Sequence, residues 1–224
     1  SLDRTITVRG DAPGGFYSAA LLSTGPGVTW PDVDFFSPGV IYADPEHNGE
    51  RAPGGTLNYQ ARRLTIREDR SSAPLFALSF RDGTSVAALN PSPQGDTTLE
   101  EIRTPPGTAL VDQRYRFGAL GAHEADGGIA FGFWLPGSTE EVPRSEETPV
   151  RVWRRRYHPI ADGFCQAYRV AFRFGQHEAF RDLTRNSYRW AWETLAPEVT
   201  HLDIDMVRRV LIDHPVSYTH LRAH

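Results

Sequence analysis

Carboxylates, an imidazole and aromatic rings crowd one stretch of the chain: Trp30-Pro31-Asp32, then Tyr42-Ala43-Asp44-Pro45-Glu46-His47. Carboxylates accept hydrogen bonds from hydroxyls, and flat rings pack on the apolar faces of pyranoses. Trp30, Asp32, Tyr42, Asp44 and His47 are therefore candidate sugar contacts. A loop held by its own hydrogen bonds would use the same residue types. Hydrolysis of a glycosidic bond would also need two carboxylates at a defined separation in space, which spacing along the chain does not reveal.

Other clusters have plainer readings. Arg67-Glu68-Asp69-Arg70 reads as an exposed strand end with local ion pairs of small energetic worth. Arg151-Val152-Trp153-Arg154-Arg155-Arg156-Tyr157 interleaves arginines with rings as a single-strand platform does, or forms an ion-pairing surface between domains. His123-Glu124, beside Gly121, reads as a turn. No two of His47, His123, His158, His177, His201 and His214 are spaced as metal ligands, so no metal and no cofactor is expected. The single cysteine, Cys165, excludes an internal disulfide and a CxxC pair, and its apolar surroundings suggest a small core residue. All 24 basic residues are arginine, which removes Schiff-base and P-loop lysines together. No GxGxxG, HExxH or GxSxG motif occurs.

The elements that must position these groups are mostly strands. Leu75-Phe76-Ala77-Leu78-Ser79-Phe80, the loop Arg81-Asp82-Gly83-Thr84 and Ser85-Val86-Ala87-Ala88-Leu89 read as a hairpin. Over 164–174, Tyr168, Val170, Phe172 and Phe174 fall on one face, with Arg169 and Arg173 on the other. Such alternation requires one buried and one wet face, hence antiparallel sheet. The period changes near residue 175. Phe180, Leu183, Ser187, Ala191 and Leu195 follow helical spacing up to Pro197, and Trp190 and Trp192 read as core. Thr200-His201-Leu202-Asp203 then suggests the cap of a second helix with Val207, Val210 and Leu211 as its stripe. At 224 residues, 39% hydrophobic and with 25 aromatics, the chain has ample material for a core. A formal net charge of −4 gives no basic footprint for nucleic acid, and no apolar run is long enough to cross a bilayer.

The order of elements resembles the front of a clan of bacterial glycoside hydrolases. In that clan a supersandwich-type β-sandwich precedes linker helices and a six-hairpin, (α/α)6 catalytic barrel. The resemblance is carried by 66–70 running into 73–78, by 128–137 (Gly-Ile-Ala-Phe-Gly-Phe-Trp-Leu-Pro-Gly) and by 168–175. With them goes 180–192, which is similar to the first helix of such a barrel. It implies an antiparallel β-sandwich over 1–175 and the start of a truncated (α/α) domain over 176–215. It also implies a carbohydrate substrate, hydrolysed by a general acid and a carboxylate-activated water. In the clan those carboxylates belong to the barrel, so no catalytic residue is assigned here; the segment from Trp30 to His47 is the expected loop at the barrel mouth. A non-catalytic carbohydrate-binding or surface-interaction sandwich, and a polysaccharide lyase, are the competing readings. Residues 216–224 (Val-Ser-Tyr-Thr-His-Leu-Arg-Ala-His) resemble a translated sequencing adapter and are set aside as a non-native tail. The chain is then expected to be a fragment open at both ends, with its compartment undetermined.

Overall fold

The computed structural model describes residues 1–43, 56–58, 63–95, 109–141, 152–210 and 212. The first half contains β1 (Leu2–Thr7), β2 (Gly15–Phe16), β3 (Ser18–Ser23), β4 (Val33–Ser37), β5 (Ile41–Ala43), β6 (Thr56–Asn58) and β7 (Arg63–Arg67). Next come β8 (Leu75–Phe80), β9 (Thr84–Leu89), β10 (Ala109–Val111), β11 (Ala119–Ala125) and β12 (Gly128–Leu135). Then follow β13 (Thr139–Glu141), β14 (Val152–Pro159), β15 (Cys165–Gln176) and helix α1 (Phe180–Leu195). Residues 204–210 form a second helix, α2.

Two antiparallel sheets make a sandwich, ordered β1-β15-β9-β8-β4-β5 and β3-β12-β11-β7-β6. Their inner faces share one core. Phe35, Phe76, Leu78, Val86 and Val170 of the first sheet meet Leu64, Ile66, Leu120, Ile129, Phe131 and Phe133 of the second. Each such side chain, taken out of water, contributes roughly 1.5–3 kcal/mol. A third, short sheet, β10-β14-β13, lies beside them; β14 pairs in parallel with β10 and carries β2 on its far end.

The unbroken apolar run Leu75-Phe76-Ala77-Leu78 has a physical reason. The inward side chains enter the sandwich core, while Leu75 and Ala77 join Phe36, Ala87 and Leu89 on the outer face under α1. The helix meets that face with Leu183 and Ala191, and Ser187 between them is also buried. This is the stripe expected from three-and-four spacing. Trp190 packs at the edge of the outer cluster, but Trp192 is 56% exposed, which corrects its placement in the core. On α2 the cap is Asp203, whose carboxylate accepts from the amides of Asp205 and Met206.

The expected hairpin of β8 and β9 is present in register, Leu75 opposite Leu89 and Ser79 opposite Ser85. A second hairpin corrects the reading of His123-Glu124 as a turn. Both lie within β11, and the turn to β12 falls at Asp126 and Gly127, with φ of 52° and 73°. An Asp-Gly pair in left-handed backbone is the favoured two-residue hairpin loop. Cys165 is exposed, not buried: it has the parity of Arg169 and Arg173, while Gln166, Tyr168 and Val170 point inward. Phe172 stacks edge-on against Phe131 of the facing sheet, yet Phe174, one step further on the same face, is 71% exposed.

Candidate functional site

Of the five residues singled out as sugar contacts, Trp30 and Asp32 share a single 3-10 turn, Trp30–Asp32. They serve different ends. The Trp30 ring is 1% exposed and packs 4.5 Å from the ring of Phe35, so it belongs to the core and offers no face to solvent. Among the described residues its indole N–H has no hydrogen-bond partner. Asp32 closes the turn by accepting from the amide (2.8 Å) and the hydroxyl (2.5 Å) of Thr29, and stands 3.7 Å from the Arg81 guanidinium. Those Thr29 contacts, and then Arg81, hold its carboxyl below the usual range. Asp32 also lines a wide groove of about 520 Å3 with Thr24, Phe80 and Asp82. Tyr42 lies in β5, paired with Phe36 of β4. Asp44 and His47 lie outside the described residues.

A smaller, better-walled cleft of about 220 Å3 forms where β14 meets the second sheet of the sandwich. Its rings are Tyr17, Trp134 and Tyr157; its cations are Arg155 and Arg156; Thr65 and Ser138 supply hydroxyls. Local structure explains the arrangement. Gly15 lets β2 press against β14, because a Cβ there would stand 2.6 Å from Cβ of Tyr157 and 2.8 Å from the carbonyl of His158. That approach brings the Tyr17 and Tyr157 rings to 6.1 Å, inclined at 53°. Arg155 and Tyr157, two apart on a strand, share a face; Arg156 and His158 share the other. On that other face Arg156 lies 4.2 Å from the centroid of the Tyr115 ring, and its backbone amide donates to Ser138 at 2.8 Å. The arginine-aromatic run noted in the sequence is thus the wall of a cleft.

The structure also holds two buried polar clusters that side-chain type alone does not reveal. The sequence places Glu68 in an exposed charge cluster, and the ion pair of Arg67 with Asp69 expected there is present. But Arg67 and Glu68 are both buried. The Glu68 carboxylate accepts from the Asn90 amide and from the backbone N–H of Gly118, each at 2.6 Å. Burial outweighs those two donors and raises its pKa to about 6. Gly118 is required here, since a Cβ would overlap the Phe133 ring at 2.2 Å. In the second cluster His158 is wholly buried between Tyr115 and Gln166. Burial holds its pKa below the usual imidazole value. Tyr115, whose hydroxyl has no partner among the described residues, is pushed up to about 12 by burial. The parity of Gln166 with Tyr168 and Val170 was the available signal for that cluster.

Among the described residues no group of three or more His, Cys, Asp or Glu is placed to hold a metal ion. Among them no helix is long and apolar enough to cross a membrane. Compared with protein-family models, with curated proteins and with solved structures, the chain matches none significantly.

Proposed function

We propose that this chain is the non-catalytic β-sandwich portion of a glycoside hydrolase acting on oligo- or polysaccharide, supporting a helical (α/α)6 domain that carries the catalytic carboxylates. The observation that supports this is the apolar surface left on the helical side. Tyr188 and Trp192 of α1 stand 42% and 56% exposed, and beyond them Leu202, Ile204, Met206, Val210 and Ile212 are all exposed. Large apolar side chains following one another along α1, α2 and the segment before α2 form a surface that a further layer of helices would cover. In this reading α1 fastens the helical layer to the sandwich through Leu183 and Ala191, and the chain's own residues position that layer. Protonation of the leaving oxygen and activation of water fall to carboxylates of the helical domain.

The test is to recover the coding sequence beyond codon 215 and to compare the chain alone with the continued polypeptide. The chain alone should bind a hydrophobic-surface dye and self-associate. The continued polypeptide should lose dye binding and release reducing sugar from a polysaccharide. A continuation without helical hairpins, or a monomeric chain that binds no dye, overturns the reading.

The cleft at β14 favours a second reading, a carbohydrate-binding sandwich without catalysis. Rings and hydrogen-bond donors converge there without any paired carboxylates among the described lining residues. Saturable binding of an oligosaccharide by the chain alone, with no hydrolysis by the continued polypeptide, would decide for it.

A further inference from the structure

We propose that the cleft between β14 and the second sheet is a subsite for a single ring bearing a carboxylate, an acidic sugar residue such as a uronate. The inference rests on the carbohydrate reading only for the source of the ring. The first ground is size: about 220 Å3 is smaller than the roughly 300–1,000 Å3 typical of drug-sized pockets, so it admits one ring and its substituents. The second is charge. Among the described residues the charged residues lining the cleft are Arg155 and Arg156, and Arg155 is on the face of β14 that carries Tyr157. A guanidinium has five N–H donors in a fixed fork, so it can meet a carboxylate as well as other acceptors. The third is shape. Tyr17 is 57% exposed, and its ring and that of Tyr157 form an inclined aromatic wall on the face of β14 that carries Arg155. Such rings present an apolar face to a pyranose and a polar edge to its hydroxyls.

The site is held in place before any ligand arrives. Arg156 lies over Tyr115, the Ser138 hydroxyl is fixed by the Arg156 amide, and the Trp134 ring packs 5.8 Å from that of His123. Groups already immobilised lose little entropy when a ligand binds. The charge of the whole chain argues against nucleic acid as occupant, and one ring-sized cleft offers no track for a phosphate backbone.

The experiment is a titration of the full chain with digalacturonate, with a neutral digalactoside, with benzoate and with oligo(dT), followed by calorimetry and by amide shifts of Tyr17 and Tyr157. Digalacturonate should bind, more weakly as salt is added, and Arg155→Gln should weaken it by about tenfold or more. Tyr17→Ala should also weaken it. Both substitutions lie at exposed positions, so an unchanged thermal unfolding curve separates lost binding from lost fold. Equal binding of the neutral digalactoside, unaffected by Arg155→Gln, overturns the acidic-ring subsite and leaves the carbohydrate reading standing. Benzoate binding as tightly as digalacturonate supports the carboxylate-ring chemistry and overturns the sugar as its source. Preferential binding of oligo(dT) overturns the proposal. Binding of neither sugar overturns both the subsite and the carbohydrate-binding sandwich, while the hydrolase reading is judged separately by its dye and continuation tests.

Discussion

The side-chain amide of Gln166 donates to Nδ1 of His158 at 2.7 Å, and that contact fixes the protonation state of the imidazole. The same Gln166 nitrogen donates to the carbonyl of Leu135 at 2.9 Å, while its oxygen accepts from the Ser18 hydroxyl. With the amide so oriented, Nδ1 must be an acceptor, and the ring proton sits on Nε2, which donates to the carbonyl of Tyr115 at 2.8 Å. His158 is therefore neutral in the folded chain. Its lowered pKa means that the unfolded chain takes up a proton first as pH falls below 6.5, so this contribution to stability is full above that pH and lost below it. Nitrogen NMR should show the Nε2–H tautomer at neutral pH. Gln166→Leu should cost about 1–3 kcal/mol for each buried group it orphans, measured by urea unfolding; an unchanged midpoint would refute the network.

Glu68 runs the opposite way. Its folded pKa of about 6 lies above the ordinary 4.5, so the folded chain keeps a proton that the unfolded chain releases. Stability is full below 4.5 and falls as pH rises through about 6, by about 2 kcal/mol in all. Glu68→Gln should abolish that slope. Because His158 titrates identically in both proteins, the difference between their stability profiles from about pH 4 to 7 isolates the carboxylate. Parallel profiles would show that Glu68 does not carry the effect.

Trp30 tests the division between core and site. Trp30→Phe keeps a ring against Phe35 and removes a buried N–H that has no partner among the described residues, so it should stay within about 1.5 kcal/mol of the parent. Trp30→Ala should cost about 3–5 kcal/mol. Neither change should alter the stoichiometry of sugar binding by the folded chain. Loss of binding in a fully folded Trp30→Phe protein would return Trp30 to the site.

Gly15 tests how the cleft is built. In Gly15→Ala the new methyl must push β2 away from Tyr157 and His158, at about 1–3 kcal/mol. The Tyr17–Tyr157 ring contact should be lost with the sandwich intact, seen as vanished cross-peaks between the two rings. Retention of those cross-peaks would mean that close approach at Gly15 is not what forms the wall.

Parts of this chain are legible because their determinants are local. An Asp-Gly loop between two apolar runs specifies the β8–β9 hairpin, and the period change near residue 175 marks where β15 gives way to α1. The stripe of Leu183, Ser187 and Ala191 follows from helical spacing alone. Cys165 and Gln166 show where local texture misled. The alternation that placed Tyr168 and Val170 inside also placed Cys165 outside and Gln166 inside, but side-chain type suggested the reverse. Only partners on other strands reverse it: Ser18 and Leu135, far away in sequence, and His158 on the preceding strand satisfy Gln166 and so permit its burial.

The candidate site divides in the same way. The sequence determined that aromatic rings flank a run of arginines before His158, and that Trp30 and Asp32 lie together. Which face meets solvent is a property of what each strand is packed against, and the tertiary structure alone decided it. It buried Trp30 on Phe35, tied Asp32 to Thr29 and Arg81, and brought Tyr17 across to Tyr157 through the gap that Gly15 leaves. Alternation assigns two faces to a strand but does not say which is wet, because that depends on chain segments far away.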